Sequence, residues 1–147
     1  MANPQVNQGT LNRLKGNLVI SDHPELNIAA FNLGENGMSI AFEGNATLMI
    51  NTLVGRVTSP EPYVAATITV QLLKTQNIAN LYKLRLEKFA TLGDVTLYPD
   101  SSTLGSFSIK NCAIEKIDGL AVNGKEATVQ LVISGTYQIN DDLYNLV

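Results

Sequence analysis

The sequence predicts a mainly β fold, an antiparallel sandwich or small barrel of about eight strands with one helix on its flank. Three observations carry this. Tyr63–Lys74 alternates, Val64, Ala66, Ile68, Val70 and Leu72 against Ala65, Thr67, Thr69, Gln71 and Leu73, the period of a strand with one buried face. A single stretch has helical period, with Ile78, Leu81, Tyr82, Leu86 and Phe89 recurring every three or four residues and Lys83, Arg85, Glu87 and Lys88 between them. The remaining apolar runs are short and separated by Gly, Pro, Asn and Asp turn signals.

Taken in order, Met1–Asn12 is polar and aperiodic and reads as an N-terminal arm. A first strand is expected at about Gly16–Asp22, ended by Pro24, with a short extended piece at Asn27–Phe31. Gly34-Glu35-Asn36-Gly37 reads as a turn, because Asn-Gly favours the type I′ reversal between antiparallel strands. Strand candidates follow at Met38–Glu43, Ala46–Ile50 and Leu53–Thr58. Ser59-Pro60-Glu61-Pro62 stops the last of these, so Glu43–Tyr63 reads as a hairpin or long loop projecting from the body.

The helix is expected over about residues 75–92, capped by Thr75 or Asn77 and closed by Gly93, with a return strand from Val95 to Tyr98. Leu104–Ile117 is a long strand region in which Phe107 and Ile109 are out of phase with Cys112 and Ile114, which requires a bulge near Asn111. Asp118-Gly119 and Asn123-Gly124 bracket a connection to a last strand, Val129–Tyr137, with Val132 facing outward towards a partner or a second layer. After Asn140-Asp141-Asp142 the chain runs out in the apolar Leu143–Val147.

At 147 residues the chain reads as one domain over 1–147, long enough to bury roughly 70% of its unfolded surface. Its one cysteine, Cys112, excludes an internal disulfide and reads as a small buried apolar side chain. No secretory signal and no apolar run of about 18 residues is present, so a soluble protein made in the cytosol is expected. A net charge of −3 argues against tight nucleic-acid binding, which relies on Lys and Arg at phosphates. Only 16% of residues are charged, a surface suited to burial against copies of itself.

The search for chemistry is nearly empty. His23, the lone histidine, stands beside Asp22 with no motif for a nucleophile and reads as an exposed turn residue. Carboxylates are scattered, and Asp141-Asp142 reads as a solvated turn rather than a calcium site. Gly34, Gly37 and Gly44 are turn punctuation, not a phosphate cradle. Lys83, Arg85 and Lys88 read as a solvated helix face. No catalytic, cofactor-binding or metal-binding residue is assigned, and a structural or binding protein is expected rather than an enzyme.

One resemblance spans nearly the whole chain. Its residues are Asn3-Pro4-Gln5-Val6-Asn7-Gln8-Gly9-Thr10-Leu11-Asn12-Arg13-Leu14, Thr58-Ser59-Pro60-Glu61-Pro62-Tyr63, Thr67–Gln76, Gly93-Asp94 with Pro99-Asp100, and Asn111-Cys112-Ala113-Ile114. In this order they resemble the tail tube proteins of contractile-tailed bacteriophages. The resemblance implies six copies closing a ring and rings stacking into a hollow tube within a contractile sheath, a conduit for genome delivery. It implies inter-ring contacts at Thr52, Leu53, Val54, Arg56, Val57 and Glu61, and arm contacts at Val6, Leu11, Leu143, Tyr144 and Leu146. The implied partners are further copies of itself, the sheath protein, baseplate and terminator proteins, and the tape measure protein and DNA passing through the lumen. The implied location is the virion tail, assembled in the bacterial cytoplasm. Two alternatives remain open: the inner tube of a tailocin or other genome-free contractile machine, and a monomeric ligand-binding sandwich. Against the last stands the absence of Trp, with aromatic residues only 6% of the chain.

Overall fold

The alternation in Tyr63–Leu73 becomes a strand paired along its full length with the last strand, from Tyr63 opposite Gln138 to Leu73 opposite Thr128. Its even-numbered residues Val64, Ala66, Ile68, Val70 and Leu72 are buried, and its odd-numbered ones face the other way. The computed structural model describes residues 9–146. Within them the strands are β1 (Asn17–Ile20), β2 (Leu33–Glu43), β3 (Thr47–Asn51), β4 (Arg56–Pro60), β5 (Tyr63–Leu73), β6 (Thr91–Tyr98), β7 (Phe107–Asp118) and β8 (Thr128–Gln138), with helix α1 at Asn77–Lys88.

Six strands form one antiparallel sheet in the order β1-β6-β7-β8-β5-β2, while β3 and β4 pair only with each other. The large sheet curls into a half-barrel around its apolar face. Curling brings Phe42 of β2 to Phe107 of β7 although two strands separate them in the sheet, with ring centroids 6.0 Å apart. Tyr137 of β8 completes the cluster at 4.9 Å from Phe42. The core inside the curl is aliphatic, with Leu18, Ile20, Ile68, Val95, Ile109 and Ile133 fully buried. Helix α1 lies against this core through Ile78 and Tyr82.

Several local expectations are corrected. The helix is shorter at both ends than residues 75–92, and its apolar face is narrower, for Leu86 and Phe89 are exposed. Neither Thr75 nor Asn77 caps it: Gln76 holds the N-cap position and spends its amide on the Phe31 carbonyl, 2.7 Å away. Gly93 does not close it, because Phe89 leads the chain directly into β6 in an extended conformation that needs no left-handed residue. Gly93 instead adopts φ +81° where the β6–β7 register shifts. The Arg85 guanidinium secures this junction with two bonds to the Thr91 carbonyl, at 2.8 and 3.1 Å.

Gly34–Gly37 does not reverse the chain. It lies within β2, where the pairing with β5 slips between Leu33 and Met38 and Gly37 takes φ +62°. The first strand is shorter than expected, and of Asn27–Phe31 only Ile28 pairs, with Leu18, before a 3-10 turn at Ala30–Asn32. The bulge expected near Asn111 is present: Asn111 has φ +54° and the register to β8 shifts between Lys110 and Ala113. Both Ile109 and Cys112 thereby enter the core. Val132 does point away from the core, opposite Thr69 and Lys116, yet it is only 5% exposed within the single chain.

Candidate interaction surface

Strands β3 and β4 form a ribbon with apolar side chains that nothing among the described residues covers. Leu48, Met49, Ile50 and Val57 are all exposed, and at the tip Leu53 and Val54 are as open as in an extended peptide, at 101% and 96%. The tip is nevertheless ordered by Thr52. Its N–H donates to the Gly55 carbonyl at 2.7 Å, and its hydroxyl donates to the same oxygen at 2.8 Å while accepting the Gly55 N–H at 3.0 Å. An isolated two-stranded ribbon is marginal in water, and a contiguous exposed apolar patch marks a contact surface.

The foot of the hairpin is tied to the end of the chain. Glu61 N–H donates to the Ala46 carbonyl at 2.9 Å, closing the ribbon where it leaves the sheet. Asn140 then donates through both hydrogens of its amide, to Ala46 O at 3.0 Å and Glu61 O at 2.7 Å. It precedes a 3-10 turn at Asp141–Asn145. A hollow of about 290 Å³ lies here, between Pro60, Asn140, Leu143 and Leu146.

The two edges of the large sheet differ. At β1, Leu18 and Ile28 exchange N–H···O bonds of 2.9 and 2.8 Å, so the edge is covered. At β2, pairing is with β5 alone, and Met38–Glu43 presents its second side to solvent among the described residues. The seam between the two edges is a hollow of about 880 Å³ with Arg13, Lys15, Glu35 and Asp100 on its walls and Met38 and Phe107 deeper in the sheet. This hollow is of mixed charge, and among the described residues no histidine or cysteine lines it.

The sheet face away from the core has its own character. By register it carries Ser39, Thr67, Thr69, Thr96, Ser108, Ser134 and Thr136, all neutral. Its cations Lys110 and Lys116 lie 3.4 Å from Asp94 and 3.8 Å from Asp118. Positive charge is therefore matched there rather than concentrated.

The residues singled out in the sequence that fall within the described range have definite places. Thr52, Leu53 and Val54 form the hairpin tip, with Arg56 and Val57 beside it on β4. Glu61 stands at the opposite end, at the foot. Leu143 and Leu146 meet that foot, Tyr144 is exposed nearby, and Leu11 is exposed close in sequence to Arg13 at the seam. Val6 lies outside the described residues. His23 is half-buried rather than exposed, with Nδ1 3.7 Å from Glu25 Oε1 at the start of a 3-10 turn. Cys112 is buried with Sγ 3.4 Å from Ile109 O, and burial, reinforced by the charge of Asp94, pushes its thiol up to about 12. On the helix, Lys83 pairs with Glu87 at 3.3 Å in water. Among the described residues no three His, Cys, Asp or Glu side chains converge on a metal position, and no helix is long and apolar enough to cross a membrane. The open β2 edge and Asn140 were missed in the sequence.

Comparison with models of known families and with curated proteins finds no match to this chain.

Proposed function

We propose that this protein is the inner tail tube subunit of a contractile phage tail, closing into six-membered rings that stack into a conduit for the genome. The observation that carries the reading is the β3–β4 hairpin, a ribbon with an ordered apolar tip that finds no cover among the described residues. A second copy is a fitting cover: a head-to-tail contact repeated along an axis builds a tube, and the same contact closed by rotation builds a ring. The open β2 edge supports the same reading, since unpaired strand edges persist where assembly uses them.

The work of such a protein is physical. Lined by the neutral hydroxyl-rich sheet face, a lumen would offer DNA no free cations to hold it, and a ring of six would carry about −18, six times the chain's −3. Sheath, baseplate, terminator and tape measure proteins are the partners this reading requires. Its test is light scattering with negative-stain electron microscopy over a concentration series. Rings or tubes of constant diameter are the expected result, and a monomer at every concentration, even with a baseplate template supplied, would reject it.

A further inference from the structure

We infer that Asn140 is a positioning residue that sets the direction of the β3–β4 hairpin and couples it to the C-terminal segment. Among the described residues the hairpin strands pair only with each other, so their angle to the sheet is fixed by the two chain crossings at the foot and by what holds them. The Asn140 amide bonds one carbonyl of each crossing, Ala46 O at 3.0 Å and Glu61 O at 2.7 Å. These use both donors of one amide, which no carboxylate of the same shape could supply. Asn140 also sits at φ +53° at the N-cap of the terminal 3-10 turn, yet its side chain makes no capping bond to that turn. The residue is thus placed as a cap and used as a clamp. Beside it, the hollow walled by Pro60, Asp141, Asp142 and Leu143 leaves the foot room to pivot once the clamp opens. A displacement of Asp141–Asn145 would reach both crossings through this side chain, whereas the neighbouring Ile139 N–H, 3.2 Å from the Pro62 carbonyl, holds only the second.

The consequence for assembly rests on the reading of the hairpin as the contact between copies. Two substitutions separate backbone from side chain. Asn140→Gly keeps the positive φ and removes both donors, while Asn140→Asp keeps the shape and sets acceptors against two carbonyls. Spin labels at Val54→Cys and Lys83→Cys report the tip-to-body distance in the dilute full-length chain, Cys112 being buried and unreactive. The expected result is a broadened distance distribution in both variants, wider in Asn140→Asp, with the half-assembly concentration raised about tenfold. An unchanged distribution in both variants overturns the clamp, and if assembly is lost all the same, the hairpin reading stands without it. A broadened distribution with unchanged assembly supports the clamp and rejects the hairpin as the inter-copy contact.

Discussion

The phenol of Tyr82 donates to the carbonyl of Leu26 across 56 residues of sequence, at 2.6 Å and fully buried. This bond fastens the helix to the 3-10 turn at Pro24–Leu26 beneath it, where apolar contact alone would leave a polar group in the core. Tyr82→Phe keeps the ring and removes the donor. It should cost about 1–3 kcal/mol, the penalty of a buried carbonyl without its partner, read as a shift in the urea midpoint at constant slope.

Two buried acids make stability fall in alkali. Burial raises the Tyr82 phenol above its ordinary 10.0, and it raises the Cys112 thiol from 9.0 to about 12, with the Asp94 charge adding and the Val95 backbone opposing. Above the ordinary values the unfolded chain has released these protons while the folded one retains them. The stabilisation is therefore complete below about pH 9 and is lost as pH rises through the folded values. Denaturation at pH 8, 9, 10 and 11 should show this decline, and the double variant Tyr82→Phe with Cys112→Ala should decline less steeply.

Gly135 lies where β7 and β8 approach closely. A Cβ there would lie 2.6 Å from both Cys112 Sγ and Ile109 Cγ2 and 3.1 Å from the Lys110 carbonyl, because the Asn111 bulge presses β7 onto β8. Gly135→Ala should destabilise by about 1–3 kcal/mol through overpacking, whereas Thr69→Ala on the opposite face should stay within about 0.5 kcal/mol. Thermal melts of the two variants make the comparison.

Sequence made the large sheet legible wherever one face was strictly apolar. β5 could be read residue by residue, and the phase break between Ile109 and Cys112 located a bulge that Asn111 supplies. Gly34–Gly37 was misread because Asn-Gly serves a hairpin turn and a strand irregularity equally well, and pairing with β5, absent from local sequence, selects the second. The helix caps were misread because the Gln76 amide bonds Phe31, 45 residues earlier. Asn140 was illegible for the same reason: its partners Ala46 and Glu61 stand 94 and 79 positions before it, and between two aspartates and a strand it reads as a turn. Exposure of the hairpin tip could be suspected from Gly55 and the Pro60-Glu61-Pro62 corner, but the openness of the β2 edge follows only from strand order.

The proposed assembly contact can be separated from the fold by charge at the tip. Leu53 makes no packing contact that its loss could disturb, being fully exposed, and Val57 is 54% exposed on a ribbon that pairs only with itself. Leu53→Asp and Val57→Asp should therefore leave monomer stability within about 0.5 kcal/mol, as surface substitutions do. In a contact between copies, each would bury a carboxylate against apolar side chains, a cost of several kcal/mol per ion that a neighbour's tip contact cannot offset. Sedimentation of the two variants beside the unaltered protein should show normal folding with loss of higher-order species. Thr69→Ala, placed on the neutral sheet face, should assemble as before. Tubes formed normally by Leu53→Asp and Val57→Asp would move the contact away from the hairpin and leave the open β2 edge as the surface to probe.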